Sequence, residues 1–223
     1  LDHSDIDLNA RTHYGWTGFF KACYNGWEDV IELLLDHSDK IELNAKDMYG
    51  MTGFIHTCRT GQTKVVQLFL DHSDKIELNA KANSGLTGTG GLTAFMFACR
   101  KGHKYVVQLL LDHSDKIELN ARDDNEWTAF MHACQNGPTD VVKLLLDQSD
   151  KIELNAQDGC GMTAFMRACE DGHKDVVKLL LNHSDKIELN AQDNFGLTAI
   201  MRACENGHNE VVRLLSRRID KIR

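Results

Sequence analysis

No apolar run in this chain of 223 residues approaches the roughly 18 that a membrane-spanning helix requires, and none has the charged-then-apolar layout of a signal peptide. Basic charge is short as well. Against 33 Asp and Glu there are 25 Lys and Arg, a formal charge of −8, which excludes a nucleic-acid binder working by phosphate neutralisation through a dominant basic surface. Seven cysteines are present but no C-x-x-C pair, so neither a zinc ribbon nor a dithiol redox motif is written here. What remains is ordinary globular composition, 42% hydrophobic and 26% charged, with enough apolar material for a sizeable core. The expectation is a soluble, intracellular, cytoplasmic protein without membrane contact. Residue 1 is Leu, partway through a segment that recurs later, so a natural N-terminus further upstream is also expected.

The dominant feature is self-similarity. "LDHSDKIELNA" stands at 35–45, 70–80 and 111–121, and with Gln148 for His at 146–156; looser copies start at Leu1 and Leu181. The threonine that follows each copy sits at Thr17, Thr52, Thr93, Thr128, Thr163 and Thr198, in steps of 35 residues except for one of 41. A fixed period of this size marks a stacked array in which each unit buries its apolar face only against its neighbours. The long step accounts for "GLTGTGGLTAF" at 85–95, which resembles a phosphate cradle. Thr87 and Thr93 are each one repeat from a neighbouring threonine, so the stretch writes one junction twice, with six residues inserted. A P-loop needs Lys and Ser or Thr after its last glycine, and a dinucleotide fold needs a third glycine where Thr93 stands; neither is present. A surface insertion is the better reading than an anion site.

Residues 122–156 serve as the type unit. Thr128 is suited to N-capping, and Phe130, Met131, Ala133 and Cys134 fall at helical spacing on one face, with His132, Gln135 and Asn136 on the other. Gly137 ends this helix in the left-handed conformation. Asp140 opens a second, whose buried side is Val141, Val142, Leu144, Leu145 and Leu146, with Lys143 in water. Neither helix is long enough to persist alone, so stacking must supply the stability.

These units resemble ankyrin repeats. The family's run Asp-x-x-Gly-x-Thr-Pro-Leu-His-x-Ala-x-x-x-Gly-His, followed by Val-Val and leucines, is matched by "DGCGMTAFMRACEDGHKDVVKLLL" at 158–181 and "DNFGLTAIMRACENGHNEVVRLL" at 193–215. The resemblance implies an all-α solenoid of six helix-turn-helix units with projecting hairpin loops. The expected units are 11–45, 46–80, 81–121 with the insertion, 122–156, 157–191 and 192–223, after an incomplete leading hairpin at 1–10. The chain departs from the family in several places. Gly18, Gly53, Ala94, Ala129, Ala164 and Ala199 replace the proline. Phe20, Ile55 and four methionines replace the histidine, so apolar packing must stand in for its hydrogen bonds. "DHSDKIEL" is longer than the usual connection and lacks its glycine. Glu126 stands where the other hairpins have glycine, which predicts a strained or altered tip. Ser216, Arg217 and Arg218 replace the end of the leucine cluster, as a water-facing C-terminal cap would.

Most residues able to carry chemistry recur as scaffold. Cys23, Cys58, Cys99, Cys134, Cys169 and Cys204 share one slot, about 10 Å apart in a stack of helices and beyond disulfide reach, and are expected as buried reduced thiols. Cys160 sits instead at a hairpin tip as a candidate free thiol. One His per "DHSD" copy cannot converge on a metal ion, so a capping role is expected there, and His103, His173 and His208 are expected to be structural. No cofactor, no metal and no catalytic residue is assigned, because a catalytic site is normally a unique constellation.

Comparison among the copies isolates the variable positions, at the hairpin tips and along the polar side of the first helix. By the resemblance these line the concave binding face. The candidates for partner binding are Tyr14, Trp16, Lys21, Tyr24, Tyr49, Met51, His56, Arg59, Phe97, Arg100, Lys101, Trp127, His132, Arg167 and Arg202. Aromatics gather toward the N-terminal half, and Trp, Tyr and Arg most often anchor interfaces. Trp16, Met51, Leu92, Trp127, Met162 and Leu197 have an equally good reading as an apolar packing row. The resemblance further implies hydroxylation candidates in the "ELNA" hairpins: Asn44, Asn79, Asn120, Asn155 and Asn190. The expected function is a monomeric, non-catalytic module that binds a protein or peptide; the rival reading is a structural spacer within a larger protein that has no dedicated ligand.

Overall fold

The computed structural model describes residues 6–83 and 90–219. Its helices form six consecutive pairs: α1 (Gly18–Asn25) with α2 (Glu28–Asp36), α3 (Gly53–Thr60) with α4 (Thr63–Asp71), and α5 (Ala94–Lys101) with α6 (Lys104–Asp112). They continue with α7 (Ala129–Asn136) and α8 (Thr139–Asp147), α9 (Ala164–Glu170) and α10 (Lys174–Asn182), and α11 (Ala199–Glu205) and α12 (Asn209–Ile219). No strand occurs among the described residues, only the isolated bridges Lys81 to Thr93 and Gln157 to Thr163. The insertion lies largely outside the described residues. Its second junction is visible, with Gly91 at φ 79° and Thr93 capping α5.

The repeating threonine sets each first helix. The Phe20, Ile55, Met96, Met131 and Met166 amides donate to Thr17, Thr52, Thr93, Thr128 and Thr163 Oγ1 at 3.1–3.3 Å, satisfying an amide that the helix itself leaves open. Second helices end without a left-handed glycine. The cap is a histidine instead: His37, His72, His113 and His183 turn Nδ1 back onto the carbonyls of Leu33, Leu68, Leu109 and Leu179 at 2.9–3.0 Å. The ring thus does the work of the family's missing glycine.

One apolar core runs the length of the stack. First helices contribute small residues at their contacts, such as Ala22, Cys58, Ala98 and Ala133, whereas second helices contribute Val, Leu and Phe69. Neighbouring first helices accordingly pack on one another more extensively than neighbouring second helices do. First helices and hairpins thus line one side of the stack, here called the inner side, with the second helices on the other. Phe19, Phe54, Phe95, Phe130 and Phe165 are all buried between units, and the replaced histidine slot is filled by buried Phe20, Ile55, Met96, Met131 and Met166.

Side chains staple each junction. Asn44 Nδ2 donates to the Lys75 carbonyl at 3.0 Å while its Oδ1 accepts the Glu77 amide at 2.9 Å, and Asn9, Asn79, Asn120 and Asn155 repeat both bonds one unit further along. A second row runs along the hairpins: Arg11, Lys81, Arg122 and Gln157 each donate to the backbone carbonyl of Lys46, Arg122, Gln157 and Gln192. His103 and His173 bond the Arg59 and Gln135 carbonyls of the preceding unit.

The structure corrects two expectations, for His132 and Cys204, and decides a third. His132, assigned to the water-facing side of its helix, is buried, because α7 is flanked by α5 and α9 and the ring turns inward. Of the two outcomes expected at Glu126 the structure has the strained one, not an altered tip: at φ 64° it adopts the left-handed conformation that Gly15, Gly50 and Gly161 hold at 71–79°. Cys204 is exposed while Cys23, Cys58, Cys99, Cys134 and Cys169 are buried, since no helix pair packs over it among the described residues. Ser216 and Arg217 are exposed; nothing is described of the Arg218 side chain.

Candidate functional site

The inner side is built from hairpin tips and first helices, and a carboxylate organises most of its hairpins. Asp47, Asp123, Asp158 and Asp193 each accept two amides through Oδ1, those of the second and fourth residues onward, at 2.8–3.0 Å. In the last three units the other oxygen is turned toward the first helix. His132 Nε2 donates to Asp123 Oδ2 at 2.9 Å, Arg167 Nε to Asp158 Oδ2 at 3.0 Å and Arg202 Nε to Asp193 Oδ2 at 2.8 Å. Burial raises the Asp123 carboxyl, but the His132 bond and the Trp127 and Asn125 amides outweigh it and hold it below the usual carboxylate range. Asp193 is likewise opposed by burial and brought low by the Leu197 amide and the Arg202 guanidinium.

These contacts consume Arg167 and Arg202, the first-helix cations of the last two units. Besides Asp158, Arg167 pairs with Glu170 at 2.9 Å and lies 4.3 Å over the Trp127 ring. Arg202 pairs with Asp193 and approaches Glu170 and Glu205 at 3.9 and 3.6 Å. Arg167 and Arg202 are therefore mostly buried, and His132 is interior. Three of the sequence-derived candidates thus brace hairpins against helices.

The N-terminal half is arranged differently. Trp16 and Tyr24 meet at 4.8 Å between centroids, Tyr24 stacks on His56 at 4.7 Å, and Lys21 Nζ stands 4.8 Å over Trp16. The patch reaches solvent, with Tyr14 60% and Tyr24 44% exposed. His56 itself is buried beneath it. Burial first, and then the Arg59 guanidinium, push its pKa down to about 4, so the ring is neutral near pH 7 and its Nδ1 accepts from Arg59 Nη2 at 3.3 Å. Lys21 and Lys101 are exposed; Tyr49, Arg59 and Arg100 are half-buried. Met51, Phe97 and Trp127 pack against the core while keeping partial exposure, and Trp16 is half-buried under Tyr14 and Tyr24. In the apolar row Leu92 and Met162 are buried outright.

Sequence reasoning missed the carboxylates that fix His132, Arg167 and Arg202. A signal was present in the copies. The hairpin position and its helix partner change together: Thr12 with Lys21, Asp47 with His56, Ala82 with Phe97, Asp123 with His132, Asp158 with Arg167, Asp193 with Arg202. Where Ala82 replaces the acid, Phe97 replaces the polar partner, whereas Thr12 goes with Lys21, which is exposed. The asparagine staples were missed for the same reason, since their partners lie in the following unit.

The cysteine slot is chemically quiet where it is buried. Desolvation pushes the Cys169 thiol up to about 12 and the Cys23, Cys58, Cys99 and Cys134 thiols far above the ordinary thiol range, so they stay protonated. Cys160 is exposed at its hairpin tip. Among the described residues, no group of three His, Cys, Asp or Glu side chains is placed to hold a metal ion, and no helix is long and apolar enough to cross a membrane. Of the hydroxylation candidates, Asn44, Asn79, Asn120 and Asn155 are the half-buried staples, and Asn190 is exposed.

A protein-family model described as ankyrin repeats matches the chain in three copies, over residues 1–82, 76–158 and 150–223. No curated relative matches it.

Proposed function

Since the chain belongs to the ankyrin-repeat family, whose members are generally protein–protein interaction modules and typically not enzymes, we propose that it is a non-catalytic binding module gripping a protein or peptide along its inner side. The binding end is the N-terminal half. The observation that carries this reading is the contrast between the two halves: Arg167 and Arg202 are spent on Asp158, Asp193 and Glu170, whereas Tyr14, Tyr24, Lys21 and Lys101 stay open to solvent. A desolvating interface gains most from rigid aromatic rings flanked by cations that no internal carboxylate has neutralised. The rings are held by one another, so little conformational freedom is lost on binding.

Tyr14→Ala combined with Tyr24→Ala is the direct test, because both side chains are exposed and the fold does not rest on them. The double variant is expected to lose the partners that the parent chain enriches from a native lysate, at least tenfold by quantitative mass spectrometry, with a melting temperature within a few degrees of the parent. Equal enrichment by the two proteins would move the binding surface elsewhere. A parent chain that enriches nothing would favour a spacer.

A further inference from the structure

The charged residues of the first helices are sorted along the stack. Seven places after each capping threonine stand Tyr24, Arg59, Arg100, Gln135, Glu170 and Glu205, and in the next slot Asn25, Thr60, Lys101, Asn136, Asp171 and Asn206. Taken together the two slots are positive in units two and three, uncharged in unit four and negative in unit five, so the sign changes once along the inner side. The hairpin bases follow the same order, Lys46, Lys81 and Arg122 giving way to Gln157 and Gln192. Residues varied for solubility alone would mix the signs.

Internal pairing leaves each patch with an excess of one charge. In the hairpins of units two and three Asp47 is the one carboxylate set against Arg59, Arg100 and Lys101, and its Oδ1 is held by the Tyr49 and Met51 amides. In unit five Arg167 is shared between Asp158 and Glu170, which leaves Asp171 in excess, while Arg202 is committed to Asp193 and comes no nearer to Glu170 than 3.9 Å. Lys101 and Asp171 are exposed, and Arg59, Arg100 and Glu170 are half-buried. Units two to five each have a helix pair on both sides, so both patches belong to the middle of the array.

We propose that the inner side takes a polarised segment of a partner protein, with carboxylates over units two and three and Lys or Arg over unit five, bound in one direction only. The inference rests on the inner-side binding reading and adds the chemistry of the occupant. Successive units stand about 10 Å apart, so Lys101 and Asp171 are separated by about 20 Å, the reach of about six residues of extended chain. Gln135 and Asn136 face the uncharged stretch between. The aromatic patch of Tyr14 and Tyr24 lies before the positive units, so the segment reads apolar, acidic, basic in that order. A uniformly acidic partner is repelled by unit five and a uniformly basic one by units two and three, and this exclusion gives the groove its selectivity.

A displayed library of random 16-residue peptides, selected on the purified chain, tests it. The selected peptides are expected to carry a cluster of Asp and Glu and a cluster of Lys and Arg in a fixed order. Fluorescence anisotropy then follows one labelled winner. Lys101→Glu and Asp171→Lys are each expected to weaken it about fivefold or more, and a peptide with its acidic and basic clusters exchanged should bind the parent at least tenfold more weakly. Both substitutions lie at exposed positions, and unchanged circular-dichroism melts verify that the variants are folded. Winners that lack the division, or that bind equally well with their clusters exchanged, overturn the proposal; if they still lose affinity to the Tyr14→Ala, Tyr24→Ala protein, inner-side binding survives without it. Winners indifferent to that double variant and to both charge variants overturn the two together. A dimer of the chain alone, dissociated by Lys101→Glu or Asp171→Lys in sedimentation equilibrium, makes a second copy the occupant and also overturns it.

Discussion

Glu126 carries a backbone cost that its counterparts avoid. At φ 64° its Cβ crowds the neighbouring backbone, a conformation that costs an L-residue about 1 kcal/mol or more and glycine nothing. Its ion pair with Arg122, at 3.7 Å between exposed groups, returns little of that. Glu126→Gly is therefore expected to raise stability by about 0.5–1 kcal/mol, the relief of strain being partly offset by the freer unfolded chain. The reciprocal change should be worse than a mirror image. At Gly161, φ 78°, an added Cβ would stand 2.5 Å from Asn194 Oδ1 and 2.8 Å from its backbone nitrogen, so Gly161→Ala meets both strain and collision. A loss of about 2 kcal/mol or more is expected. Urea unfolding of the two variants measures both; equal effects, or a less stable Glu126→Gly, would mean that the tip is not held in the left-handed conformation.

At the scale of the element, the hairpin-to-hairpin staples explain how a chain of short helices holds its register. Asn120 Nδ2 donates to the Lys151 carbonyl at 2.8 Å and its Oδ1 accepts the Glu153 amide at 2.9 Å, so one side chain closes the gap between consecutive loops. Asn120→Ala removes both bonds. Water reaches the vacated groups because the site is only half-buried, and the expected cost is about 1–2 kcal/mol in chemical denaturation. Asn120→Asp should keep the bond from the Glu153 amide while setting a carboxylate against the Lys151 carbonyl, and fall between parent and alanine. An alanine variant as stable as the parent would show the staple to be incidental. The helices were legible in the sequence because their causes are local: a threonine whose oxygen caps the amide three residues on, a glycine able to go left-handed, and leucines and valines at helical spacing. The staples were not legible, since Asn120 meets residues more than thirty positions away and nothing in its own surroundings names them. The candidate face was half legible for a related reason. Variation among copies located Tyr14, Tyr24, Lys21 and Lys101 on accessible positions, but it cannot tell a residue that varies for a partner from one that varies with an internal carboxylate, as Arg167 and Arg202 do with Asp158 and Asp193.

In the whole molecule, each unit is stabilised mainly by its two neighbours, so protection is greatest where a unit has both. The last pair departs most from the pattern. Thr198 Oγ1 is buried without a hydrogen-bond partner where the five preceding threonines cap their helices, Met201 and Cys204 are uncovered, and α12 buries Val211 where α8 buries Val141, Val142, Leu145 and Leu146. Amide hydrogen exchange of dilute protein is accordingly expected to be slowest in α7 and α8 and fastest in α11 and α12, with the difference reaching at least tenfold in rate, about 1.4 kcal/mol of local stability. Uniform exchange along the chain would mean that the array opens as one cooperative block.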